Sequence, residues 1–363
     1  MRKIFIRLLT ALSLIALTST IQAAEAPATR AHLGFWISLD EIRSLPMSGP
    51  AWENVKKNAD SNIGTPNLSN QDDPTNVAVL AKALVYARTG EERYRTEVIN
   101  ACMAAMNTEN GGRTLALARE LIAYVIAADL VGLPPDKDTE FQAWLRTTLS
   151  KNLSGRTLRS THEDRPNNWG THSGASRMAV AIYLGDDQEL DAAARVFKGY
   201  LGDRDSYASF DYGELSWQVN ASLPVGINPK GAVKNGHSVD GVLPDDQRRG
   251  GSFSWPPPKE NYVYEALQGA LAQAIILHRA GYDVWNWEDK ALLRAFNFLH
   301  DVVDFPATGD DTWEPHIVNY YYGEDFPARV PAQSGKNVGY TDWTHSERKR
   351  GPRPAPPYAL EVN

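Results

Sequence analysis

The stretch from Arg165 to Arg177, Arg-Pro-Asn-Asn-Trp-Gly-Thr-His-Ser-Gly-Ala-Ser-Arg, collects amide, indole and imidazole side chains where a helix should begin. Pro166 biases its predecessor away from helix, and Asn167 or Asn168 can cap the helix after it, so the apolar run from Met178 to Leu184 reads as helix interior. If helix already runs through Asn168, then Asn168 and His172 lie four residues apart and share one face. An amide donor and an imidazole would then enter one cleft, where such groups can donate hydrogen bonds and exchange protons. The competing reading is an N-cap asparagine and a surface histidine.

A second concentration of reactive side chains lies between Gly202 and Tyr262, where helical patterning stops and Gly, Pro, Asn and aromatic residues take over. His237 and Asp240 precede Asp245, Asp246, Arg248 and Arg249, and Trp255-Pro256-Pro257-Pro258 leads to Tyr262. Loops of this length inside compact domains are functional or disordered. The bulky Tyr207, Phe210, Tyr212, Trp217, Phe253 and Trp255 argue for an ordered excursion lining the cleft.

Several other chemistries are excluded by pattern. There is no His-Glu-x-x-His helix, no phosphate-cradling loop ending in Lys-Ser/Thr and no dinucleotide fingerprint. Gly170-Thr-His-Ser173-Gly174 has its serine one place late for a nucleophile elbow and no strand before it. His162-Glu163-Asp164 and His300-Asp301 with Asp304 read as helix-end charges, so neither a metal nor another cofactor is expected.

The elements that must position these residues are helices. Four times an alanine-rich apolar helix ends in a Gly-containing turn and is followed by another: Val77–Arg88 with Tyr94–Met106, Leu115–Leu130 with Phe141–Leu149, Met178–Leu184 with Leu190–Tyr200, and Tyr264–Arg279 with Trp287–Val303. Gly suits the helix C-terminus, and Asp or Glu suits the next first turn. Serial αα-hairpins stack into an open solenoid or close into a ring, and unequal spacing favours the ring. The expected fold is therefore all-α, an (α/α) toroid with one long ordered loop insertion.

Met1 to about Ala24 carries Arg2, Lys3 and Arg7, an apolar core from Leu8 to Leu17 and small residues at its end, the pattern of a secretory signal peptide. The expected organisation is a signal over residues 1–24 and one toroidal domain over 25–363, exported to the periplasm or beyond, monomeric and free of the membrane once cleaved. The formal net charge is −7, three units more negative without Arg2, Lys3 and Arg7, which argues against nucleic acid as a partner. An acidic protein can still take an anionic glycan through a locally basic cleft. The single cysteine, Cys102, cannot form an internal disulfide and sits in an alanine-rich helical setting that suggests a buried thiol. In the tail beyond Phe305, Trp313, Trp343 and His345 precede Arg348-Lys349-Arg350; the tryptophans either stack on sugars or pin the tail to the helical body, and the second reading is preferred.

Taken together, Asn167-Asn168 opening a central helix, then Asp240-Gly-x-Leu243-Pro244, Arg249 and Tyr262 at a helix start make the chain similar to the alginate-lyase superfamily of polysaccharide lyases. Leu33-Gly-Phe-Trp-Ile-Ser38-Leu-Asp-Glu41-Ile, followed by Trp52, resembles the start of the mature chain in that family. Two departures stand out. Trp169 follows the paired asparagines where many relatives have histidine, and the stretch between Arg249 and Tyr262 is long and contains a triple proline.

The resemblance implies β-elimination on a 4-linked polyuronate such as glucuronan or alginate. The proton at C5 leaves, the C4 oxygen is expelled and an unsaturated sugar remains. It assigns catalysis to Asn168, His172, His237, Arg249 and Tyr262, and substrate contacts to Asn167, Trp169, Arg248, Trp255 and Tyr264. Asn168 would hydrogen-bond the uronate carboxylate, His172 or Arg249 would add positive charge, and Tyr262 would be the base, since cations beside a phenol favour its ionised form. Tyr264 remains an alternative to Tyr262, and His172 and His237 compete for the histidine role. Two other functions stay open. A glycoside hydrolase would use paired carboxyl groups drawn from Asp211, Glu214, Asp240 and Asp246, and a glycan-binding protein would use Trp169, Trp217 and Trp255 as a stacking surface.

Overall fold

A computed structural model describes residues 32–346. The expected signal segment and the Arg348-Lys349-Arg350 run lie outside the described residues.

The eight expected helices are present: α3 (Thr75–Thr89), α4 (Glu92–Ala105), α5 (Thr114–Val131), α6 (Pro135–Thr148), α8 (Asn168–Leu184), α9 (Asp187–Leu201), α11 (Tyr262–Arg279) and α12 (Trp287–Asn297). Six further α-helices complete the set among the described residues: α1 (Leu39–Ser44), α2 (Pro50–Asp60), α7 (Leu158–Asp164), α10 (Pro244–Gln247), α13 (Glu314–Tyr322) and α14 (Thr341–Thr344). The only ladder among the described residues is a hairpin of two-residue strands, β1 (Val233–Lys234) and β2 (His237–Ser238).

Composition decides which helices lie inside. Every residue of α5 is buried and α11 is buried beyond its first residue, because both carry apolar side chains all round rather than on one stripe. In α9 the apolar side chains Leu190, Ala194, Phe197 and Leu201 follow a 3.6-residue stripe, which buries one face and leaves the other wet. The inner helices α3, α5, α8 and α11 pack in succession, and contact continues through α13, α14 and α2 back to α3. This closes a ring of helices, the toroid expected from the unequal hairpin spacing.

The first and last described segments are fastened to this ring by polar bonds. Trp343 Nε1 donates to the Pro46 carbonyl at 2.9 Å, Tyr340 Oη donates to the Val77 carbonyl at 3.0 Å, and Arg279 pairs with Glu41 at 2.9 Å. Trp313 and Trp343 are buried, so the tail tryptophans pin the tail to the body. Cys102 is buried too, and burial pushes its thiol pKa up to about 12, which fits an inert core residue.

Candidate active site

Three inner helices begin at one cleft of about 370 Å³. Leu115 of the first turn of α5, Asn168 at the start of α8 and Tyr262 at the start of α11 all line it. Gln71, Arg113, Arg119 and Arg165 line it as well, together with Asn167, Trp169 and Arg249. The lining thus holds four arginines and no carboxyl group.

The start of α8 is built by a carboxylate scaffold in the long loop. Asn167 caps the helix by accepting from the Trp169 amide at 3.1 Å, and its own amide donates to Asp245 Oδ2 at 2.7 Å. Asp245 also accepts from the Gly213 amide at 2.9 Å and from Arg248 Nε at 2.8 Å. Asp246 accepts from the Asn168 backbone amide at 3.1 Å. Burial, and next the neighbouring Asp245, push the Asp246 pKa well above the ordinary carboxylate range. At Gly170 a side chain is forbidden, because a Cβ would fall 1.8 Å from the Arg165 carbonyl oxygen.

Asn168 is 1% exposed, and neither its amide oxygen nor its amide nitrogen has a side-chain hydrogen-bond partner. Buried amides left unpaired are costly, so an unmet pair of polar atoms on a cleft wall is what a site awaiting a ligand looks like. One turn deeper, His172 is fully buried. The Glu265 carbonyl faces its ring without closing a hydrogen bond of good geometry, and burial, then the Arg119 and Lys336 cations, hold its pKa well below the ordinary histidine value. This corrects one expectation: His172 is a neutral imidazole beneath the cleft and supplies no positive charge. The charge comes from the arginines.

At the start of α11 the Arg249 guanidinium lies over the Tyr262 ring, 4.2 Å from its centroid. Tyr262 is 41% exposed and lines the cleft. Arg113 lies 5.4 Å from the Trp169 ring centroid and donates to Gln71. Below them Glu265 joins two cations, accepting from Arg119 and pairing with Lys336 at 2.9 Å. The α8 and α11 backbones abut at Gly269, where a Cβ would fall 2.4 Å from the His172 amide nitrogen.

Asn167, Asn168, Trp169, Arg249 and Tyr262 are therefore gathered in one cleft, with His172 under its floor. Four expected participants are elsewhere. Tyr264 is buried, its hydroxyl donates to the Phe305 carbonyl at 2.6 Å and its ring packs on Phe296 and Phe305, because its place on the helix turns it into the core. Arg248 is held by Asp245 and serves the loop scaffold. His237 and Trp255 stack on each other with centroids 4.3 Å apart, outside the cleft lining.

None of the carboxyl groups considered for a hydrolase lines the cleft. Asp240 pairs with Arg294 at 2.6 Å, Glu214 accepts from Ser216, Asp246 is buried under Asn168, and Asp211 is not among the lining residues. Trp217, considered for a stacking surface, is fully buried and donates to the Gly251 carbonyl. Sequence reasoning missed Arg113, Arg119 and Arg165. Arg119 left a readable trace, since Arg119-Glu120 is a charged pair set in a mostly apolar helix.

The alginate lyase family model matches residues 65–206, which include α3 to α9 and the start of the cleft. Among solved structures, an alginate lyase from Bacteroides ovatus superposes with a TM-score of 0.53 at 12% identity, covering 82% of this chain and 93% of that one. At that identity the likeness speaks for the shared (α/α) toroid. A comparison with curated proteins finds none that matches. Over residues 65–206, then, the chain is similar to the alginate lyase family, and the superposition adds the likeness of its all-helical fold.

Proposed function

We propose that the cleft binds a 4-linked uronate in a polysaccharide and cleaves the chain on its C4 side by β-elimination. The observation that carries this reading is the lining: four arginines with no carboxyl group, in a protein whose formal net charge is −7. Such a cleft attracts an anionic sugar and repels none of its carboxylates.

The uronate carboxylate meets the unpaired Asn168 amide and the surrounding guanidinium groups. Hydrogen bonds and positive charge at that point withdraw electron density from C5 and stabilise the enolate-like intermediate as its proton leaves. Tyr262, as phenolate, takes the C5 proton; the electron pair moves to form the C4–C5 double bond, and the C4–O bond breaks. The same phenol then returns a proton to the departing oxygen, so the tyrosine ends as it began. One group can do both tasks when the proton and the leaving oxygen lie on the same face, as in glucuronate and mannuronate. With His237 stacked on Trp255, no second base faces Tyr262 in the lining, which favours those sugars over guluronate.

Residues 1–24 would carry the chain to the periplasm or beyond, where such polymers are met, and residues 25–363 would act there as one monomeric unit. N-terminal sequencing of the exported protein and light scattering test that part. The activity is tested by incubating the protein with 4-linked polyuronates and following the ultraviolet absorbance of the unsaturated product. Tyr262→Phe is expected to lower turnover by about 10²- to 10⁴-fold while substrate binding persists. Full activity in that variant removes Tyr262 from the reaction.

A further inference from the structure

Beside the arginine-lined cleft lies a second groove of about 560 Å³, formed by the end of α2, the start of α3 and the segment 332–340. Gln71 lines both, and two consecutive residues of α5 divide between them, Arg119 to the cleft and Glu120 to the groove. The chemistry reverses at that boundary. Asp72, Asp73, Glu120 and Asp310 line the groove, with Lys336 as its single cation, and Lys336 is already engaged with Glu265 at 2.9 Å and Asp72 at 3.7 Å. Much of the remaining wall consists of amide and hydroxyl groups, including Asn54, Asn58, Asn62, Asn76, Gln333 and Ser334.

Glu120 adds an observation independent of this charge count. It is 1% exposed, and its Oε2 has no hydrogen-bond partner although the residue lines the groove. Burial, then Asp73, raise its pKa to about 10, so it carries its proton. A protonated carboxyl group offers a ligand hydroxyl one donor and one acceptor, and an unmet one is costly to bury. A second uronate in the groove would set its carboxylate against Asp72, Asp73 and Asp310. A neutral sugar would meet amides and Glu120 without that repulsion.

We propose that the groove holds an uncharged, hydroxyl-rich sugar adjoining the uronate in the cleft, so that the substrate is a heteropolysaccharide in which uronate alternates with neutral residues. This rests on the reading of the cleft as the uronate site and narrows it from polyuronates in general.

The test compares two substrates of similar length at one ionic strength: a homopolymer of 4-linked glucuronate, and a polymer in which 4-linked glucuronate alternates with a neutral or N-acetylated hexose. Unsaturated product is followed for both. The alternating polymer is expected to be cleaved with kcat/KM roughly tenfold or more above the homopolymer. Equal or faster cleavage of the homopolymer overturns the neutral-sugar groove and leaves the lyase reading intact, whereas no unsaturated product from either overturns both. In a second arm, Asp72→Asn with Asp310→Asn removes two negative charges at nearly constant size. It is expected to raise kcat/KM on the homopolymer by about three- to tenfold and to change the alternating polymer by less than about twofold. An unchanged ratio between the two substrates overturns the proposal.

Discussion

Asn168 is held from below by Asp246: its backbone amide donates to Asp246 Oδ1 at 3.1 Å, while its side chain is left free for the cleft. The acid is fully buried, burial raises its pKa, and it acts as an acceptor fixed in place. Asp246→Ala is expected to cost about 1–3 kcal/mol by leaving that amide unpaired, and to lower turnover by loosening Asn168. Asp246→Asn keeps an acceptor oxygen and should stay within about 1 kcal/mol of the parent. Denaturant titration of both variants decides it, and equal losses in the two would remove the hydrogen bond from the explanation.

Tyr262 and Tyr264 should separate cleanly. Tyr264→Phe deletes the hydrogen bond to the Phe305 carbonyl and should cost about 0.5–1.5 kcal/mol of stability with turnover retained. Tyr262→Phe alters an exposed side chain and should leave stability within about 0.5 kcal/mol while turnover collapses. The reverse outcome, measured by unfolding and by initial rates, would transfer the reactive phenol to Tyr264.

Glu265, beneath the arginine cleft, joins Arg119 to Lys336. Removing it strands the nearly buried Arg119, so Glu265→Ala is expected to lose about 3–5 kcal/mol. Arg119→Met added to that variant should restore part of the loss, because the unpaired charge is gone. A double variant less stable than Glu265→Ala would show that the pair is not what the site depends on.

The pH behaviour of His172 is set by its burial. Its folded pKa is depressed, so its contribution to stability is present above the unfolded value of about 6.5 and is lost as pH falls below that and through the folded pKa. The thermal midpoint of the parent should therefore drop more steeply between about pH 7 and 5 than that of His172→Gln, which has nothing there to protonate. Magnetic resonance of the ring should show a neutral imidazole through this range. A titration centred near the ordinary value would mean the ring is open to water.

The helices were legible because their apolar runs and glycine-marked ends are local features. Gly90, Gly132, Gly185 and Gly202 each sit at the C-cap of a helix that the chain announces. The short α1, α2 and α7 were not, since their formation depends on packing against the ring. At the site, Asn167, Asn168 and Trp169 could be found together because they are neighbours in sequence, Tyr262 because it opens a helix, and Arg249 only through the resemblance. Arg113, Arg119 and Arg165 come from separate elements, and only closure of the ring brings their guanidinium groups to one wall. Tyr264 was misread for a simple reason: two residues along a helix is a turn of about 200°, which carries a side chain from cleft to core.

The convergence of α5, α8 and α11 on the cleft has a consequence separate from any side chain. Each helix presents its amide-rich end there, worth roughly half a unit of positive charge before screening. That background field cannot be protonated away or deleted by a point substitution. On the proposed reading, exchanging a single arginine would weaken the hold on an anionic sugar without removing this contribution from the backbone.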